Sequence, residues 1–396
     1  MEEIKYFENA LVRAHQYCRK HDFTGYSLYD SHNSIIPFGK FGPFVSFYVN
    51  QVIKRSPFNF RPLLGIKKGI NPKGVGLFLN IYTKMKHTNL LPGEEVEKLA
   101  RCFFYWLINN PSKGFSGLCW GYNYDWPSRD GSLVKAYTPS GVVTGFNCRA
   151  MMTYYNIYGD PEVKQAIKSA ADFVLNDLIL SETKYGLCFS YTPNPKDLTV
   201  NASLLAAEVL AYDDYLHETE NHTSKIAGVL EFTRNLQNTD GSWHYSFNPE
   251  TFAPKVQIDF HQGYVLETID NILNHVGLDR RTYEESIQKG IKFYQTHQID
   301  PEGLAYWRLP SKWPIDIHNQ SQAIITLARF SNLDKTYLAI AKKVASWTIE
   351  NMLSSDGKFY YQKWPILINR VSYMRWNQAW MMLAIVELLN CLYENN

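Results

Sequence analysis

Five glycine-bearing aromatic stretches recur along this chain, and their spacing limits what it can fold into. They are GLCWGY (117–122), GLCFSY (186–191), DGSWHYSF (240–247), EGLAYWRL (302–309) and DGKFYYQKW (356–364). Each is followed by a proline-bearing loop and then by an apolar segment opened by polar residues: TGFN (144–147), LTVN (198–201), DFH (259–261), IHN (317–319) and RWN (375–377). The markers Asn147, Asn201, His261, Asn319 and Asn377 lie 54, 60, 58 and 58 residues apart. A period of this size signals a repeat architecture, in which one unit cannot bury its apolar face alone and must stack on its neighbours.

Two kinds of helix alternate within the repeat. Residues 94–109, 161–177, 222–237, 281–297 and 336–352 carry apolar residues at i, i+3, i+4 and i+7 with charges between them, so each keeps one solvated face. The segments after the aromatic stretches, such as NASLLAAEVLAYDDYL and NQSQAIITLARF, are apolar almost all round, as in helices buried on every side. Residues 72–86 supply a further inner helix and residues 2–20 the remaining outer one. Six of each predicts an all-α fold, an (α/α)6 toroid with short β-hairpins on one face. An open solenoid of the same pairs is the alternative; long loops gathered on one side favour closure. Residues 1–65, a helix followed by an irregular arm rich in Gly, Pro and Phe, are expected to pack on a ring formed by 66–396.

Bulk numbers exclude several classes. A net charge of +2 gives no reason to expect nucleic-acid binding, which needs a strongly basic face. No apolar run is long enough for a transmembrane helix, and the acidic, amphipathic start lacks the features of a signal peptide. The six cysteines form no CxxC pair and have no partners at zinc spacing, so they read as reduced thiols, with no metal and no cofactor expected. The expected location is cytoplasmic, with peripheral membrane contact or membership of a biosynthetic complex left open. YDDYLHE (212–218) resembles a diphosphate-binding motif but falls at the wrong end of its helix. Aromatic residues are 15% of the chain, with 27 Tyr and 10 Trp, more than packing alone explains. Their flat faces and hydrogen-bonding edges suit a cleft for sugars or apolar ligands.

In a ring of this kind, the outer-to-inner loops and the starts of the inner helices share one face, the mouth of a central funnel. The unusual residues collect there. Asn147, Asn201, Asn319 and Asn377 sit where helix caps are expected. Asp259/His261 and Asp316/His318 repeat a carboxylate two residues before an imidazole, a pattern that can supply an acid and a base with separated pKa values. The loop WGYNYDWPSRDG (120–131) lies in the longest connection, 30 residues from Gly117 to Asn147, and carries Tyr124, Asp125, Trp126, Arg129 and Asp130. Connections of that length are usually functional, and Asp125 between two aromatic residues is a candidate general acid.

These residues resemble two toroid families. NLQNTDGSWHY (235–245) is similar to the Q-x-x-DGSW repeat ending of terpene cyclases and prenyltransferases, while the cyclase DxDD motif and the prenyltransferase zinc ligands have no counterpart. From about residue 66 onward the layout resembles the six-hairpin glycosidases, polysaccharide lyases and uronyl epimerases. MRWNQAWMM (374–382) is loosely similar to a WxRGQxW-like segment of unsaturated uronyl hydrolases, without its Arg-Gly. SPFNFRPLLGIKKGINPKGVGLFL (56–79) looks like a segment of uncharacterised proteins associated with surface-polysaccharide gene sets.

The resulting expectation is a carbohydrate-active protein of surface-polysaccharide metabolism, with lyase, hydrolase or epimerase chemistry on an acidic oligo- or polysaccharide. Asp125, His261 and His318, with Asp259 and Asp316, are the acid/base candidates. Arg149 and Arg375 would hold a carboxylate. Trp120, Trp126, Trp243, Trp307 and Trp376 would stack on sugar faces, with Tyr124, Asn201 and Asn377 as further binding residues. The alternatives are an isoprenoid-binding or cyclase-like protein, which needs a dry apolar funnel, and a non-catalytic glycan-binding or scaffold protein. Fold analogy does not choose among them.

Overall fold

The computed structural model describes residues 2–128, 132–194 and 196–395. Its helices run in chain order as α1 (Glu2–Lys20), α2 (Pro43–Arg55), α3 (Pro72–Met85), α4 (Gly93–Asn109) and α5 (Gly141–Tyr158). They continue as α6 (Glu162–Asn176), α7 (Val200–His217), α8 (Thr223–Asn235) and α9 (His261–Leu273). The last four are α10 (Arg281–His297), α11 (Ile317–Arg329), α12 (Lys335–Met352) and α13 (Trp380–Glu394), the last entered through a π-helical turn at Met374–Ala379.

The even and odd patterns of the sequence separate into two rings. On α6 the buried residues are Val163, Ala166, Ile167, Ala170, Ala171, Phe173 and Val174, one stripe at helical spacing. By contrast, 16 of the 18 residues of α7 are buried, so it touches protein on every side. The inner ring is α3, α5, α7, α9, α11 and α13, each packed on the next, with α13 packed back on α3. That last contact closes the ring. The outer ring is α1, α4, α6, α8, α10 and α12, and α1 completes it by lying against α12 and α13. The architecture is therefore the closed double ring of six and six. At Gly145 on α5, a Cβ would lie 2.8 Å from both Cβ and the carbonyl oxygen of Leu205 on α7, so glycine lets these two inner helices approach closely.

The polar residues at the inner-helix starts do a repeated structural job. In each repeat, one of them binds the backbone of the preceding aromatic stretch. Thr144 Oγ1 accepts from Trp120 N and Ser203 Oγ from Phe189 N. In the next two repeats a glutamine does both jobs. Gln262 accepts from Trp243 N and donates to Trp243 O, and Gln320 does the same with Ala305. Gln378 Nε2 donates to Phe359 O. The 58-residue step from Gln262 to Gln320 to Gln378 is thus a buried-backbone requirement, since an unpaired buried amide or carbonyl is costly.

The aromatic stretches themselves are mostly single bridges, such as Gln237 with Trp243 and Leu353 with Phe359. At Asp240-Gly241 the chain turns with Gly241 at φ +96°, and Asp240 Oδ1 accepts from Ser242 N. Strand pairing then links neighbouring repeats. Ser246–Phe247 pairs with Leu198–Thr199 of the repeat before, and Gln362–Lys363 pairs with Ile315–Asp316. The arm after α1 differs from the irregular chain expected of it. Gly42, at φ +94°, and Pro43 at the first helical position open the 13-residue α2. A Gly-Pro pair reads as a loop, yet proline's fixed φ and missing N–H suit the first turn of a helix.

Candidate active site

The inner-helix starts surround a cavity of about 540 Å³. Tyr124, Trp126, Asn201, Asp259, His261, Trp307, Asp316, His318, Arg375 and Trp376 all line it. The arm contributes Tyr29, Lys54 and Arg55. Two carboxylates, Asp259 and Asp316, face six cations among the described lining residues: Lys54, Arg55, Lys73, Lys255, Arg308 and Arg375. Such an imbalance in a concave site favours anionic ligands.

His261 is the first residue of α9, and Asp259 precedes it in the loop. His261 Nδ1 donates to Asp259 Oδ1 at 2.6 Å, and Asp259 Oδ1 also accepts from His261 N at 3.2 Å. Asp259 Oδ2 accepts from Gln257 Nε2 at 2.8 Å, with Arg308 Nε 3.8 Å away. Burial pushes the Asp259 carboxyl up, but the charge and hydrogen bonds of His261 and the charge of Arg308 outweigh it and hold the carboxyl below its ordinary value. Asp259 is therefore ionised, which fixes the His261 tautomer with the hydrogen on Nδ1, and His261 lines the cavity.

His318 sits one ring layer away, on α11. Its Nε2 is 2.7 Å from Tyr264 Oη, and its Nδ1 is buried without a partner. Phe260 lies between the two imidazoles, stacked on His261 at 4.2 Å and edge-on to His318 at 4.3 Å. Burial, with Lys73, Arg375 and His261 adding to it, pushes His318 well below the ordinary imidazole range, so it is neutral. Burial pushes the Tyr264 hydroxyl well above its ordinary value, so it stays a phenol and a proton donor. Asp316 caps α11 by accepting from His318 N at 3.0 Å and also accepts from Trp376 Nε1 and Gln362 Nε2. Burial raises its pKa. Both oxygens of each carboxylate are thus already hydrogen-bonded.

Other candidates lie elsewhere. Trp243 is 1% exposed, its Nε1 donates to Thr233 O at 2.9 Å and its ring packs beside Gly290, so it is core and not a sugar platform. Trp120 is likewise fully buried, donating to Leu107 O. Asn377 is buried and donates to Phe359 O and Val371 O, holding the chain before α13. Asp125 turns away from the cavity, accepting from Ala136 N at 2.8 Å with His32 Nδ1 3.7 Å away. Arg129 and Asp130 lie outside the described residues.

Arg149 is on the far side of an aromatic plug. Phe146, Tyr264 and Trp380 meet on the ring axis with centroids 4.9 to 5.6 Å apart. Lys73 Nζ caps the plug from the main cavity, 3.9 Å from the Phe146 centroid. The Arg149 guanidinium lies 4.9 Å from the same ring and faces a second cavity of about 460 Å³. Glu208 binds Arg149 with two hydrogen bonds of 2.8 and 2.7 Å, so the guanidinium is committed to a structural pair.

No family model matches the chain, and no curated protein matches it. Solved structures do. The cellobiose 2-epimerase from Bacillus thermoamylovorans superposes with a TM-score of 0.64 at 12% identity, over 82% of this chain and 90% of that one. An unsaturated glucuronyl hydrolase specific for heparin gives 0.62 at 12% identity, over 84% and 89%. A GH76 α-mannanase from Bacteroides thetaiotaomicron gives 0.60 at 10% identity, over 82% and 88%. The fold is that of the six-hairpin glycosidase-like toroids.

Within this toroid, sequence reasoning passed over Lys73, Tyr264 and the arm residues Tyr29, Lys54 and Arg55. A lysine after a helix-starting proline reads as surface. The signal that marks Lys73 is its place: a cation in the first turn of an otherwise apolar inner helix, where the helix dipole disfavours positive charge.

Proposed function

We propose that the protein is an enzyme that moves a proton at a carbon of an acidic sugar residue, as an epimerase or a lyase does. The observation that carries this reading is the Asp259–His261 dyad, which lines a cationic, aromatic-walled cavity beside the Tyr264–His318 pair, the His261 and Tyr264 rings 5.6 Å apart. His261 Nε2 takes the proton, Asp259 stabilises the imidazolium that forms, and the neighbouring Tyr264 phenol returns a proton to carbon or protonates the leaving oxygen. Trp126, Trp307 and Trp376 offer the sugar-stacking faces.

Two-carboxylate hydrolysis fits less well, because Asp259 is held to His261 and Asp316 caps α11, and every oxygen of the two already accepts a hydrogen bond. A dry isoprenoid funnel fits less well again, given six cations in the lining. The named activities of the similar structures, an epimerase, an uronyl hydrolase and a mannanase, all concern carbohydrates. Six free cysteines support action in a reducing compartment such as the cytoplasm, and surface-polysaccharide material is the proposed substrate source. A peripheral membrane or complex association would use Phe44, Tyr48 and Val52, exposed along α2.

The test is incubation of the protein with uronate-containing and neutral oligosaccharides, read by NMR for an inverted stereocentre and by ultraviolet absorbance for a new conjugated double bond. Conversion by the parent and none by His261→Ala is expected. Equal conversion by His261→Ala would remove the dyad from the chemistry.

A further inference from the structure

Two cations lie buried at the foot of the main cavity, and among the described residues no carboxylate neutralises them. Lys73, the second residue of α3, is 3% exposed, and Arg375, on the π-helical turn, is 6% exposed. Lys73 Nζ is surrounded by aromatic faces, 3.9, 5.2 and 5.3 Å from the centroids of Phe146, Tyr264 and Trp380. The Arg375 guanidinium lies 5.0 Å from the Tyr122 ring and 5.3 Å from that of Trp376, and its Nε has no hydrogen-bond partner. Among the described residues no carboxylate pairs with either. Two other buried guanidiniums are paired, as buried charges usually are. Arg61 holds Asp30 at 2.7 Å, and Arg149 holds Glu208 at 2.7 Å.

Three costs meet at this point. Two cations have left water, they repel each other, and Lys73 stands at the positive end of the α3 dipole. Burial pushes the Lys73 amine well below its ordinary value, and Arg375 and Arg149 add to that. One anion relieves all three costs. Cation–π contacts with the surrounding rings offset only a part of these costs.

We infer that Lys73 and Arg375 form a receptor for one compact anionic group of the ligand, a carboxylate or a phosphate ester borne by the sugar unit that faces His261. This deepens the proposed function and rests on its premise that the cavity takes a sugar. The walls of Tyr122, Trp376 and Phe146 exclude water around the pair, so charge recognition there is strong and depends on the anion reaching the floor.

The test is calorimetric titration of the full chain with D-glucuronate, D-glucose 6-phosphate and D-glucose, repeated on Lys73→Met and Arg375→Gln, with a melting curve for each. At least one acidic sugar is expected to bind about ten-fold or more tightly than glucose, as charge-assisted contacts allow. The stronger of the two identifies carboxylate or phosphate as the source. Lys73→Met and Arg375→Gln should each lose that preference. Lys73→Met should melt no lower than the parent, because it removes an unpaired buried charge. Equal binding of all three sugars, no binding of the acidic ones, or a Lys73→Met protein that melts lower and keeps the preference would overturn the receptor. Anion-selective binding with no proton transfer on any glycan would leave it standing and count against the proposed activity instead.

Discussion

Substituting Glu267 by glutamine should change stability in a strongly pH-dependent way. Glu267 is 3% exposed on α9, beneath the aromatic plug. Its Oε1 accepts from Thr326 Oγ1 at 2.7 Å and from Gln322 Nε2, and its Oε2 lies 3.7 Å from Arg149 Nη1. Burial pushes its pKa up from 4.5 to about 7, since Arg149 is already committed to Glu208 and offsets only part of the cost. The folded pKa is raised, so the stabilising contribution is fully present below pH 4.5. It is lost as pH rises through about 7. At about 1.4 kcal/mol per pKa unit, the full loss is about 3 kcal/mol. Glu267→Gln keeps an acceptor for Thr326 and cannot ionise, so it escapes that loss. Its unfolding free energy relative to the parent should therefore improve by about 2 to 3 kcal/mol between pH 5 and pH 8. Urea unfolding at the two pH values measures this, and the pH-independent cost of the new amide beside Arg149 cancels in the difference. The same relative stability at both pH values would refute the reasoning and place Glu267 as a paired carboxylate at neutral pH.

Three further outcomes follow from the same geometry. Trp243→Ala should cost about 3 to 5 kcal/mol in stability, while Trp307→Ala, at the cavity wall, should cost about 1 kcal/mol or less and weaken ligand binding; melting curves and titrations separate the two. Gln320→Ala leaves both Ala305 backbone groups unpaired and buried, and should cost about 2 to 4 kcal/mol by chemical denaturation. Asp259→Asn removes the group that fixes the His261 tautomer, so turnover should fall on the order of 10³-fold or more with little change in substrate binding.

How much of this was legible beforehand depends on the physics behind each signal. Helices α6 and α7 declared their rings because an outer helix must keep one wet face and an inner helix none. The 58-residue step was equally visible, but its meaning was not. Asn377 and Trp243 carry polar groups that suit a sugar site, and in the fold those groups satisfy buried backbone. A sequence gives no direction for a side chain at a helix start, so the clamp Gln262 and the neighbouring His261 look alike. Arg149 was misplaced for a related reason. Two turns further along α5 its side chain crosses the plug, and depth along a helix is invisible without the ring. Tyr29, Lys54 and Arg55 reach the cavity only because the arm folds over the mouth, a tertiary event with no periodic signal.

His261, held by Asp259, is proposed to transfer a proton at carbon. The direct measurement is solvent deuterium incorporation, in which uronate-containing oligosaccharides are incubated with the protein in D2O and followed by NMR and mass spectrometry. The expected result with the parent protein is deuterium at one ring carbon of an acidic sugar, as an epimerase gives, or a new ring double bond, as a lyase gives, and neither with His261→Ala. Conversion of the glycan with neither deuterium on carbon nor a new double bond, or conversion undiminished in His261→Ala, would contradict it.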